Sequence, residues 1–257
     1  CPEFCRQVVR EYVSTQSRNT AALEQATLFL AAGGDTEEAL NGLQLLLSPP
    51  IHANRSSSSR PRSHDYILQK CLPEDMTTWT HADRWLSGIV KRVGEWETTG
   101  NISTKDAVKI LSLVAVRQHQ NNFQDAAQAT LVTIKTLSLI NPSPAIWFSD
   151  AAEITGNQAL ALEVTTTMLK ERRLPILRVA PLMEAVAAHQ GVPAALALAE
   201  ETLDYTWQPG FLQTMIKIST DAGNDEAARL WKDRHQQVLK PQVSSGADDG
   251  PSVEKRK

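Results

Sequence analysis

Cysteine is scarce in this chain: Cys1, Cys5 and Cys71 are the three in 257 residues. An odd count this low builds no disulfide framework, and the expected compartment is a reducing one. Long apolar runs are missing as well. Near the N-terminus the longest is LFLAA (28–32), far short of the ~20 residues that a membrane-spanning helix needs. Charge of one sign is missing, because 26 basic and 29 acidic residues leave a net charge of −3 and no field to steer nucleic acid or anionic lipid. Strand signals are nearly missing, with aromatics at 5% and little alternation of apolar and polar residues. What remains is an all-α expectation without a membrane span.

Patterns that carry chemistry are missing too. The six histidines, at 52, 64, 81, 119, 189 and 235, have no spacing that sets two ligands on one helical face beside a third group. There is no nucleophile elbow, glycine-rich phosphate loop or kinase signature. The acidic pairs Glu37–Glu38, Glu200–Glu201 and Asp225–Glu226 read as helix starts or exposed faces, where carboxylates meet the positive end of the helix dipole or water. No enzyme activity, metal or cofactor is expected.

What is present is a hydrophobic content of 42%, enough to bury a substantial core, and an internal repeat. Taking turn glycines as anchors gives Gly156, Gly191 and Gly223, with Asn122 at the same place one repeat earlier, at intervals of 34, 35 and 32 residues. Five positions after the anchor stands a small residue, Ala127, Ala161 or Ala228, with Leu196 in the copy that starts at Gly191. Small side chains there let two antiparallel helices approach, as a helical hairpin with a Gly or Asn turn requires. Ala161 is therefore placed at the closest approach and Gln158 on the exposed side. Pro142, Pro175 and Pro209 separate successive hairpins. The segment LEQATLFLAAGGDTEEALNGLQLLLSPP (23–50) repeats the pattern with Gly34, Ala39 and Pro49–Pro50. Ser103 with Asp106 reads as a capping pair that starts a helix whose apolar face holds Ile110, Leu111, Leu113 and Val114.

The stretch AEITGNQALALEVTTTMLKERRLPILRVAPLMEAVAAHQG (152–191) carries Gly156, Ala161, Met168, Pro175 and Gly191. In this it resembles the pentatricopeptide repeat; the tetratricopeptide repeat is similar, with an earlier proline. The resemblance spans about 105–240 and implies single-stranded RNA binding through polar side chains early in each first helix. The matching positions, ten residues before each anchor, hold Ser112, Ile146, Pro181 and Gln213. Ser112 and Gln213 are thus the candidate RNA contacts. A second resemblance covers 66–131 and rests on QKCL (69–72), a KR helix ending in Gly100, NIS (101–103) and NNFQDAA (121–127). These are similar to the C-terminal helical domain of the large outer-shell subunit of the COPII vesicle coat, shared with the steroid receptor RNA activator protein. In that family a helical solenoid and a proline-rich linker precede the domain. The same order holds here, where FLAAGGDTEEALNGLQLLL (29–47) is followed by PPIHANRSSSSRPRSHD (49–65).

The expected fold is all-α, antiparallel helical hairpins stacked as a short α-solenoid. Residues 1–48 form hairpins at the end of a solenoid, 49–65 a Ser/Pro/Arg linker, 66–240 a helical-repeat domain and 241–257 a disordered tail. The expected function is a non-enzymatic scaffold for a protein partner, with the coat resemblance implying a vesicle-trafficking component that is cytoplasmic or at the ER–Golgi boundary. The alternative is a pentatricopeptide-like RNA-binding protein of an organelle. Because the chain opens on Cys1, it reads as a fragment, and a bacterial repeat lipoprotein, whose mature form begins with cysteine, is a third reading. Most of the six tryptophans are expected in the core. Trp207, in YTWQPG, is the expected exposed one, and with Arg172, Arg173 and Arg178 it forms the candidate partner surface.

Overall fold

The structure, a computed structural model, describes residues 2–15, 19–48, 64–140 and 145–239, with the backbone alone at 2, 64–65 and 138–140. Among these residues the chain is helices and turns, with no strand. The helices are α1 (Pro2–Ser14), α2 (Thr20–Gly33), α3 (Thr36–Leu47), α4 (His64–Cys71), α5 (Ala82–Thr98), α6 (Thr104–Gln120) and α7 (Gln124–Ile140). They continue as α8 (Ala145–Ile154), α9 (Gln158–Lys170), α10 (Val179–Gln190), α11 (Val192–Glu201), the single turn α12 (Leu203–Thr206), α13 (Pro209–Asp221) and α14 (Asp225–Leu239). A 3-10 turn, Ile176–Arg178, leads into α10. The all-α expectation holds. The chain divides into two compact units, Cys1–Met168 and Leu169–Lys257.

The anchors sit at the hairpin turns, and the backbone gives the reason. Asn122, Gly156 and Gly223 have φ of +66°, +78° and +68°, and Gly34 and Gly100 join them at +88° and +74°. At Gly156 the N–H donates to the Glu153 carbonyl at 3.0 Å, and the next N–H, of Asn157, reaches back to Ala152 at 2.8 Å. The same pair of bonds closes the other four turns. This closure needs one residue in the left-handed region, which glycine enters freely and asparagine tolerates. Except at Gly100, where Ser103 caps α6, the residue after the left-handed one then starts the second helix. In four turns its carbonyl takes the N–H of the alanine four residues further on: Asp35 with Ala39, Phe123 with Ala127, Asn157 with Ala161, and Asn224 with Ala228. Each of these alanines is buried.

The copy that starts at Gly191 departs from the expected register. Gly191 has φ +94° and ψ 156° and serves both as the C-cap of α10 and as the N-cap of α11. The turn is one residue shorter, so the fully buried small residue is Ala195, whose N–H meets the Gly191 carbonyl at 3.3 Å. Leu196 is half-buried. Pro175 lies between α9 and α10, just ahead of the 3-10 turn, and Pro209 lies between α12 and α13, which it opens, a position where a missing N–H costs nothing. Pro49, Pro50 and Pro142, positions 49–63 of the expected linker and the tail 241–257 lie outside the described residues, while 64 and 65 begin α4.

In the first unit one core runs from Val13 to Ala161 and includes Leu30, Leu43, Leu47, Leu72, Trp85 and Ile89. Helices α1 to α3 share it with α4 to α6, on either side of the segment read as a linker. Close approach of α2 and α3 depends on Gly42, where a Cβ would strike the Thr27 hydroxyl. Ser103 caps α6 as expected, accepting the Asp106 N–H at 3.1 Å and donating its hydroxyl to the Asp106 carboxylate at 2.6 Å. Ile110, Leu111 and Val114 are buried and Leu113 packs against them. The second unit has its own core, with Met183, Leu212 and Met215 fully buried and Phe211 edge-on to Trp231 at 5.9 Å between ring centroids.

Two measurements probe this packing. Ala161 is buried, whereas Gln158 is half-buried and Ala159 is the exposed neighbour. Ala161→Leu should cost about 1–3 kcal/mol by overpacking and Ala159→Leu almost nothing; equal urea midpoints would contradict the packing. Cys71 is fully buried, and burial, aided by Glu24, pushes its thiol up to about 12. The unfolded thiol titrates near 8.5. A folded value above the unfolded one means full stability below about pH 8.5 and a progressive loss as pH rises toward 12. At pH 10 this group alone removes about 2 kcal/mol. Unfolding curves at pH 8 and pH 10 should therefore diverge less in Cys71→Ala than in the parent chain.

Candidate functional site

Five of the six tryptophans are wholly or partly inside: Trp85, Trp96 and Trp231 are buried, and Trp79 and Trp147 half-buried. Trp207 is 39% exposed, and the local sequence explains why. Proline disfavours helical geometry in the residue before it, and Gln208, ahead of Pro209, is extended at φ −138° and ψ 149°. The single-turn α12 therefore stops at Thr206, held from within by Thr202 and Thr206, both buried, whose hydroxyls donate to the carbonyls of Leu198 and Thr202. Trp207 is left standing at the break.

Around it lies an open groove of about 780 Å³ lined by Glu200, Glu201, Leu203, Asp204 and Trp207. Its edges are tied to neighbouring helices of the same unit. The Tyr205 hydroxyl donates to the buried Leu174 carbonyl at 2.7 Å, and Arg172, itself at φ +58°, pairs with Asp204. Lys170 meets Glu201 at 2.8 Å, and Arg234 grips both oxygens of Glu200. Glu200 and Glu201 end α11 rather than start a helix, where the dipole disfavours carboxylates; the cations offset that. Glu37, Glu38, Asp225 and Glu226 do lie in first turns.

Of the expected partner surface, the structure brings Arg172 beside the Trp207 segment. Arg173 pairs instead with Glu171 at 2.8 Å, and Arg178 closes the 3-10 turn. With Arg172 and Arg173 each on a carboxylate, the basic cluster is locally neutralised. In sequence Glu200–Glu201 reads only as an acidic pair at a helix start or exposed face, and nothing singles out Leu203 or Asp204, although EETLDYTW joins all four directly to Trp207. Nor does any pattern mark Leu177, at 92% the most exposed large apolar side chain described.

The candidate RNA contacts are not alike. Ser112 is 4% exposed, on a helix that packs against α5, α7 and α8, and its hydroxyl has no hydrogen-bond partner among the described residues. It cannot reach a base. Gln213 is exposed, with its side-chain nitrogen 3.4 Å from the His235 ring.

A second cleft, of about 350 Å³, lies between α1 and α3 and is lined by Arg10, Ser14, Asn41 and Gln44 among others. Arg10 is occupied there by Asp35 and by Glu3 at 3.4 Å, an arrangement that holds α1 to the start of α3. Among the described residues no three His, Cys, Asp or Glu side chains gather as a metal site, and no helix is long and apolar enough to cross a membrane. Set against known proteins, the chain matches no family model, no curated protein and no solved structure.

Proposed function

We propose that this chain is a non-enzymatic binding scaffold of stacked helical hairpins, a short α-solenoid, and that it holds a protein partner through the groove at Trp207. The observation that carries this is the 39% exposure of Trp207 beside Leu203 in an open groove, while the other tryptophans pack inward. Tryptophan is the side chain most often found to dominate a protein interface once a partner covers it. The finer form of the proposal is a vesicle-coat-type trafficking scaffold, cytoplasmic or at the ER–Golgi boundary. It is supported by the resemblance over 66–131, where Ser103 of NIS caps α6 and Asn122 of NNFQDAA turns α6 into α7.

Selection of short random peptides on the intact chain tests the groove. Enriched peptides should bind at least about tenfold more weakly to Trp207→Ala, a loss of about 1.4 kcal/mol. Peptides indifferent to that change would refute it. The RNA alternative is tested by titrating pooled single-stranded RNA. Residues 103–240 carry 13 Lys plus Arg against 14 Asp plus Glu, so a phosphate backbone meets as much repulsion as attraction. No binding tighter than about micromolar at physiological salt is expected. Nanomolar, sequence-selective binding would instead favour the pentatricopeptide reading, with Gln213 the first residue to change.

A further inference from the structure

We infer that the Trp207 groove takes a cationic peptide: an extended segment bearing Arg or Lys next to aliphatic residues, its cation over the indole and within reach of Glu201 and Asp204. This rests on the proposal that the groove is a protein-binding site and specifies the partner's chemistry. Three observations converge on it. The charged side chains lining the groove, Glu200, Glu201 and Asp204, are all anionic, and its apolar part is Leu203 with the open indole of Trp207. The groove also lies at the C-terminal end of α11, where the helix dipole adds negative potential and favours a cation. Finally, the carboxylates have capacity left. Glu201 and Asp204 remain 55% and 56% exposed although Lys170 and Arg172 touch them, and a carboxylate offers about four acceptor sites. Those two cations orient the carboxylates and leave their outer sides open. Glu200, held by both guanidinium nitrogens of Arg234, belongs to the frame.

Trp207 adds selectivity that charge alone does not. A cation over an indole face is attracted by the ring quadrupole, and among the described residues the same contact is made at two other tryptophans, with Lys105 and Lys109 at 5.7 and 4.8 Å from the Trp147 centroid and Arg234 4.6 Å from that of Trp231.

The test uses fluorescein-labelled peptides of alternating Arg–Leu, Ser–Leu and Glu–Leu, titrated by anisotropy against the full chain. Arg–Leu should bind saturably and weaken as salt rises, and Glu–Leu should not bind. Trp207→Ala should weaken Arg–Leu about fivefold or more, and the double variant Glu201→Gln/Asp204→Asn by a similar factor, both with unchanged helicity. Glu184→Gln, in the same unit but outside the groove, should change nothing. If Ser–Leu binds as well as Arg–Leu, or the double variant binds unchanged, the cationic specificity is wrong while the Trp207 site stands. If Trp207→Ala has no effect, or no peptide binds, both fall.

Discussion

Trp231→Ala is expected to destabilise the second unit by about 3–5 kcal/mol, the range for emptying a large aromatic from a core, whereas Trp207→Ala should cost less than about 1 kcal/mol. The two substitutions remove the same atoms. Trp231 is 1% exposed, packs edge-on to Phe211 and carries Arg234 over its face. Its loss leaves a cavity that α13 and α14 fill only by shifting. Trp207 already meets water over 39% of its surface. Urea unfolding followed by circular dichroism reads both. If Trp207→Ala were as costly as Trp231→Ala, Trp207 would be part of the fold and the groove would lose its anchor.

The second large effect is expected at Arg117. The residue is 7% exposed; Nε donates to the Leu72 carbonyl at 2.8 Å and a terminal nitrogen to Gln120 at 2.6 Å. Burial pushes its pKa down, and Glu74, 3.6 Å away, opposes this. Glu74 is 80% exposed, so the pair itself contributes little. What matters is the buried carbonyl. Arg117→Ala should cost about 2–4 kcal/mol, from a lost charge-assisted bond, an unsatisfied Leu72 carbonyl and an unfilled space, whereas Glu74→Gln should cost less than about 0.5 kcal/mol. Equal costs would mean that the ion pair, and not the burial, holds the 72–76 segment to the end of α6.

Arg117 also shows where sequence patterns stop being informative. RQHQNN (117–122) reads as a polar helix end, yet Arg117 and Gln118 are buried and Asn121 spans to the Met76 amide at 3.0 Å. Nothing local to that stretch announces a partner 45 residues away. By contrast the turns were legible, because their chemistry is local: a left-handed residue, a helix start beside it and a small residue buried where the second helix first closes. Ser103 was legible for the same reason. The Gly191 turn misled because a spacing count cannot register a glycine that caps two helices at once. Ser112 misled because position within a repeat does not say how many helices pack on that face. The groove was half-legible. Trp207 stood out by its proline and glycine neighbours, but the cations that hold Glu200, Glu201 and Asp204 come from Arg234, Lys170 and Arg172, and only tertiary packing brings them there.

The turn closures bear on how the chain comes to fold. The bond from the Asn157 amide to the Ala152 carbonyl closes a loop of only a few residues, as do its counterparts at Gly34, Gly100, Asn122 and Gly223. Short loops lose little entropy on closing, and proteins dominated by such near-neighbour contacts fold within about microseconds to milliseconds. Each turn is an independent place to nucleate, so a chain leaving the ribosome can set one hairpin before the next has been synthesised.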